Sequence, residues 1–210
     1  MRRDFLVIAV LPLIALSACR KQAADSQTAS LQTVAPAHYS DPPALNPGIS
    51  VDDAYAAIPH RRTVWAEDES TVPAPERDYL KVMFTVEDQA VAARVAGLQK
   101  YSRGQFDDSD VDSEFDQLVN FARSVVPPQS LTTYHNHIVE ALVAQQQFFR
   151  EWKAAGTQFA YAQRITENPD ARKASGDLKA AYDELMTKYP QEGQANKDAF
   201  FDYHCALDFM

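Results

Sequence analysis

The stretch from Tyr134 to Glu140 is the part of this sequence that most suggests chemistry, because it places two imidazoles and a carboxylate within seven residues. His137 and Glu140 are three residues apart, so on a helix they share a face and could ligate a metal ion. His135 lies two residues from His137, which on a helix turns the two rings to nearly opposite sides. The interpretation that we favour is a core histidine at 135 and a solvated pair of His137 and Glu140.

A second histidine could complete a site with His135. His204 lies beside Cys205 and four residues before Asp208, on the last predicted helix. If it meets His135 across neighbouring helices, the two form a metal or cofactor site of the kind that helical bundles build. The sequence lacks paired Glu-x-x-His motifs and a Cys-x-x-Cys-His motif, so neither a di-iron centre nor covalent haem is expected. We therefore predict no cofactor and keep a bound metal as the alternative.

Glu87 stands in the middle of an apolar stripe, between Phe84 and Val91, with Arg94 seven residues further on. A carboxylate buried there would have a raised pKa, because desolvation disfavours its charged form, and would be a candidate functional group. The interpretation that we favour is a position at the edge of the stripe or an ion pair.

His60, Arg61 and Arg62 form a small basic patch together with Trp65, in a chain whose net charge is −9. The patch could bind an anion or the acidic surface of a partner, but we favour pairing with acidic groups of the same chain. We expect Trp65 to pack against the main body. The negative net charge argues against nucleic acid as a partner. No Gly-rich phosphate loop or Gly-x-Ser-x-Gly elbow is present, so enzymatic activity is unassigned and a non-enzymatic role is favoured.

The N-terminus carries a different kind of chemistry. Arg2 and Arg3 precede an apolar run over 5–16, which is too short to cross a bilayer as a mature helix and is typical of a secretory signal peptide. The run ends in Leu16-Ser17-Ala18-Cys19, which resembles the lipobox of bacterial lipoproteins. The resemblance implies cleavage before Cys19 and its acylation, with palmitate among the acyl chains that anchor the protein in a membrane.

The residues around the lipobox bear on where the chain is sent. Arg20 stands where Asp tends to retain lipoproteins at the inner membrane, so the resemblance implies the outer membrane. The run over 2–6, Arg-Arg-Asp-Phe-Leu, is similar to the core of a twin-arginine signal, which leaves two export routes open. Acylation of Cys19 would leave Cys205 as the remaining free thiol, and we expect it to be buried.

Apolar residues at three- and four-residue steps predict the helices that must position these groups. The predicted helices are a short one from Ser50 to about Ala57, then Pro75 to Gly104, Val111 to Val126, Leu131 to Phe159 with a bend at Gly156, Asn168 to Tyr189, and a last one after Gly193. Low glycine content and the lack of strand-like alternation point away from a β architecture. The predicted fold is an all-α, antiparallel bundle of about four to five helices after a flexible tether.

These observations divide the chain into a signal peptide over 1–18, the lipidated Cys19 with a disordered linker over 19–49, and a helical bundle domain over 50–210. The function that we favour is a membrane-anchored periplasmic or surface lipoprotein that acts as a binding module for an unidentified protein or envelope component. Two alternatives remain. One is a helical-bundle metal- or cofactor-binding protein or enzyme, and the other is a periplasmic immunity-type inhibitor.

Overall fold

The computed structural model describes residues 39–106, 110–159 and 165–209, and the predicted signal peptide and Cys19 lie outside these ranges. The helices are α1 (Val51–Ala57), α2 (Ala74–Ser102), α3 (Asp110–Ser124), α4 (Thr132–Ala155), α5 (Pro169–Lys188) and α6 (Gln194–Leu207). Residues 165–167 are also helical, and no strand occurs among the described residues. The prediction of an all-α helical bundle is therefore confirmed. No helix in this described part is both long enough and apolar enough to cross a membrane.

Local capping chemistry sets where the helices begin. The hydroxyl of Ser50 accepts a hydrogen bond from the amide of Asp53 at the start of α1. The side chain of Asn168 accepts from the amides of Asp170 and Ala171 at the start of α5. These bonds satisfy amides that have no partner within the helix, so both predicted starts are confirmed.

Helix α4 ends earlier than the sequence predicts. Gly156 adopts φ +56°, a conformation that favours glycine, and the helix stops at Ala155 instead of bending and continuing to Phe159. Its 24 residues span about 36 Å, whereas the helix predicted from Leu131 to Phe159 would have spanned about 44 Å. Phe159 still joins the core, because the chain turns back and stacks its ring on Trp152 at 5.2 Å between centroids.

Two segments outside the long helices complete the core. Residues 39–49, which we expected in the linker, run alongside the helices, with Leu45 and Ile49 packed on the core and the ring of Tyr39 edge-on to Tyr79. Trp65, in the segment between α1 and α2, is buried against Phe84 and Phe200. The predicted packing of Trp65 on the main body is confirmed.

Helix α2 is the centre of the bundle and contacts α1, α3, α4 and α6. Its close approach to α4 depends on Gly97, where a Cβ atom would lie 2.9 Å from the ring of Phe149. Most of α2 is buried, which is why its apolar residues cover more than one face.

Buried side chains hold the end of α6 in place. Arg94 of α2 donates a hydrogen bond to the carbonyl of Ala206, and Gln145 of α4 donates to the carbonyl of Leu207. These two bonds satisfy carbonyls that the end of a helix leaves open. Phe209, just beyond the helix, packs on Phe148 at 4.6 Å between ring centroids.

Candidate functional site

Three helices bring three polar side chains together in the core. Glu87 of α2 is completely buried, and the hydroxyl of Tyr134 on α4 donates a 2.8 Å hydrogen bond to its Oε1 atom. Its other oxygen, Oε2, lies 3.9 Å from Nε2 of His204 on α6. The edge position that we favoured for Glu87 is wrong, because the helices packed around α2 enclose this side chain.

Burial keeps both titratable groups of this pair uncharged at neutral pH. Burial raises the pKa of Glu87 to about 8, against the opposing effect of the Tyr134 hydrogen bond. Burial lowers the pKa of His204 to about 4, although its hydrogen bond to the Phe200 carbonyl acts in the other direction. Both shifts follow from the cost of placing a charge away from water. A protonated carboxyl therefore faces a neutral imidazole.

The tautomer of His204 follows from its neighbours. Its Nδ1 atom lies within hydrogen-bond distance of the Phe200 carbonyl, which can only accept, so Nδ1 carries the hydrogen and Nε2 is an acceptor. Nε2 and Glu87 Oε2 have no hydrogen-bond partner, and 3.9 Å is too long for a direct bond between them. A buried donor and a buried acceptor thus lie beside each other without being paired.

His204 also forms part of the wall of a cavity between α5 and α6. The cavity has a volume of about 620 Å³, within the range of small-molecule sites. Leu178, Tyr182 and Phe201 supply its apolar surface, and the rings of Tyr182 and Phe201 meet edge-on at 5.7 Å. Phe201 is 48% exposed and is the one aromatic residue among the large exposed apolar side chains of the described ranges. At the end of the cavity opposite Tyr182 and Phe201, the hydroxyl of Ser175 donates a 2.7 Å hydrogen bond to the carboxylate of Asp208.

Cys205 lines the same cavity and is half-buried, whereas we expected full burial. It lies next to His204 and faces α5, while Ala206 and Leu207 take the fully buried positions. Burial, together with the nearby carboxylates of Asp208 and Asp202, raises the pKa of the Cys205 thiol. A thiol that stays protonated is a poor nucleophile.

The structure does not place His135 with His204. Nδ1 of His135 forms a 2.9 Å hydrogen bond with the hydroxyl of Tyr79, and burial lowers the pKa of His135. The arrangement corresponds to the core histidine that we favoured.

The solvated pair of His137 and Glu140 that we favoured is wrong, because each side chain pairs with a residue of α5 and not with the other. His137 pairs with Asp177 at 3.0 Å, and Glu140 pairs with Lys173 at 2.9 Å. Within the described ranges, no three side chains of His, Cys, Asp or Glu are arranged to hold a metal ion.

The basic patch is engaged within the chain. Its ion pairs are Arg61 with Asp198 and Asp202, Arg62 with Asp52 and Asp88, and His60 with Asp202. Each of the basic side chains that suggested an anion site therefore has a carboxylate neighbour, which agrees with the intramolecular pairing that we favoured.

Sequence reasoning missed the cavity and two of its aromatic residues, Tyr182 and Phe201. One signal was available. Phe200 and Phe201 are adjacent, and neighbours on a helix point about 100° apart, so both cannot face the same core. Phe200 is fully buried, and Phe201 faces Tyr182 on α5.

The chain matches no model of a known protein family, no curated protein and no solved structure. The cavity and the buried groups behind it are therefore the features that bear on function.

Proposed function

We propose that this protein is a membrane-anchored binding module of the bacterial cell envelope, which holds a small lipophilic molecule in the cavity between α5 and α6. The observation that carries this proposal is the cavity of about 620 Å³, with its apolar wall and the exposed ring of Phe201 at its edge. Sites for small molecules are concave, mostly apolar and of this size.

The groups around the cavity favour binding over catalysis. Glu87 is protonated at pH 7, His204 with a pKa of about 4 is a weak base, and Cys205 is a thiol with a raised pKa, so none of them is an activated nucleophile. The ring of His204 packs against those of Tyr134 and Tyr182, at 5.8 Å and 6.4 Å between centroids. These contacts hold the ring in place as a wall of the cavity.

The anchor in this proposal is Cys19, supported by the lipobox-like run that ends there. Multiple acyl chains give stable membrane attachment, where one chain gives only marginal binding. Mass spectrometry of the protein purified from membranes is expected to show an N-terminus at Cys19 that carries acyl chains. A free, unmodified thiol at Cys19 would contradict the anchor and the outer-membrane location that goes with it.

The cavity is tested with 1-anilinonaphthalene-8-sulfonate, a fluorescent probe of apolar sites. We expect saturable binding, weakened about tenfold by Phe201→Ala, because burying part of a phenyl ring on a ligand is worth about 1.4 kcal/mol. Val126→Ala is the matched control, since Val126 is an apolar side chain, 77% exposed, that does not line the cavity. Absence of saturable binding, or equal losses in both variants, would count against the proposal.

A further inference from the structure

Gly176 lies inside α5 and lines the cavity, yet no feature of the folded chain requires a glycine there. Its backbone is helical and does not adopt a positive φ, and a Cβ atom would meet nothing within 4 Å. A glycine inside a helix costs about 0.5–1 kcal/mol relative to alanine. Since Gly176 lines the cavity, a side chain at this position would take space from it. The one effect of glycine at this position is to leave the helix backbone uncovered, so that the cavity becomes an open groove above it.

The positive groups of α5 near Gly176 differ in their partners. Lys173 and Lys179 each pair with a carboxylate at 2.7 Å, those of Asp177 and Asp183. Arg172, one turn before Gly176, donates to the backbone carbonyl of residue 167, and no carboxylate among the described residues pairs with it. Its guanidinium retains donors in the forked geometry that suits a carboxylate.

The two ends of the groove differ in chemistry. Arg172, Ser175 and Asp208 line one end. The rings of Tyr182 and Phe201 line the other, where the charges of Lys179 and Asp183 neutralise each other in an ion pair of 2.7 Å. Along α5 the lining runs from residue 172 to residue 183, about 16 Å of helix. An elongated molecule with one polar end and one apolar end fits this gradient better than a compact ligand does.

We infer that the ligand is a free long-chain carboxylate, whose head binds Arg172 and whose alkyl chain crosses Gly176 towards Tyr182 and Phe201. The inference rests on the proposed function, since it names the ligand class of the same cavity. Asp208 lies at the head end, where the hydroxyl of Ser175 already occupies one of its oxygens.

Three probes with the same alkyl chain separate the contribution of the head group to the affinity from that of the alkyl chain. Dodecanoate, 1-dodecanol and dodecyltrimethylammonium are titrated below their aggregation limits by displacement of the fluorescent probe. We expect the wild-type chain to bind dodecanoate at least about tenfold more tightly than the other two, because a charge-assisted hydrogen bond is worth about 1.5–3 kcal/mol.

Arg172→Gln is expected to lower the affinity for dodecanoate to the level of that for dodecanol, and to leave the affinity for dodecanol unchanged. Arg123→Gln is the matched control, because Arg123 is an exposed arginine on α3 that does not line the cavity.

Gly176→Leu is expected to weaken all three probes at least about tenfold, while the variant is as stable as the wild type or more so. Glu184→Leu is its control, since Glu184 is an exposed position on α5 outside the cavity.

The possible failures are distinct. Tightest binding of dodecanol or of the ammonium probe would overturn the carboxylate head and leave the proposed function in place. If Gly176→Leu binds the probes with wild-type affinity, the alkyl chain of the ligand does not cross this glycine, and that part of the inference is wrong. If none of the three probes binds saturably, the proposed function itself fails.

Discussion

Glu87 is a carboxyl group that lies completely inside the core, and its protonation state follows from that burial. Its place in an apolar stripe was visible in the sequence. Its complete enclosure was not, because the groups that reach it, Tyr134 and His204, are 47 and 117 residues away along the chain. Contacts between residues so far apart in the sequence produce no local sequence pattern from which they could be predicted.

Glu87 and His204 should make the free energy of unfolding fall both when the pH rises and when it decreases. Folded Glu87 has a pKa of about 8 against an ordinary 4.5, so the free energy of unfolding should fall as pH rises from about 4.5 to about 8. Folded His204 has a pKa of about 4 against an ordinary 6.5, so stability should also fall as pH decreases from about 6.5 to about 4. We expect the combined contribution to be greatest between about pH 4.5 and 6.5.

The variant Glu87→Gln keeps the size of the side chain and removes its titration. Urea unfolding at several pH values between about 4.5 and 8 should show that the free energy of unfolding falls less with rising pH in this variant than in the wild type. Glu184→Gln, an exposed position on α5, is the control and should retain the wild-type slope. Equal slopes for Glu87→Gln and the wild type would mean that Glu87 is already ionised in the folded protein.

At the scale of helices, the sequence was most informative where the signal is local. Caps at Ser50 and Asn168 fixed the starts of α1 and α5, because each cap satisfies amides only a few residues away. The end of α4 at Ala155 was missed because the apolar spacing continues past it to Phe159, which reaches the core by a turn and not by a helix. Residues 39–49 have no periodic apolar pattern, so their packing on the helices could not be predicted.

The two helical glycines, Gly97 and Gly176, should respond in opposite ways to alanine. At Gly97 the added methyl would lie 2.9 Å from the ring of Phe149 and 3.1 Å from Val111, both in the core. Overpacking of this kind costs about 1–3 kcal/mol, which exceeds the gain in helix propensity of about 1 kcal/mol. At Gly176 the methyl meets nothing, so the gain of about 0.5–1 kcal/mol should remain.

Chemical unfolding of the two variants measures this difference directly. We expect a lower midpoint than the wild type for Gly97→Ala and a higher midpoint for Gly176→Ala, with unchanged slopes. A stabilised Gly97→Ala would show that α2 and α4 have room to separate at this crossing.

For the whole molecule, the position of α2 predicts the order in which parts of the bundle open. Helix α2 contacts α1, α3, α4 and α6, so exposing the amides of its central turns requires most of the bundle to come apart. The seven residues of α1 lie at the edge and include two buried side chains, Ala54 and Tyr55. Native-state hydrogen exchange should therefore show protection in central α2 equal to the global free energy of unfolding, and lower protection in α1. Equal protection in both helices would indicate that the molecule opens as one unit.

The bonds that Arg94 and Gln145 make to the end of α6 have a consequence for biosynthesis. Both donors lie in helices that are made early, whereas the carbonyls that they bind belong to Ala206 and Leu207. The ring of Phe209 covers part of the same region. A ribosome must therefore translate residues 206–209 before the interior can close. Until then the guanidinium of Arg94 and the side-chain amide of Gln145 lack these two carbonyl partners, so we expect the core around them to pack only after α6 has been made.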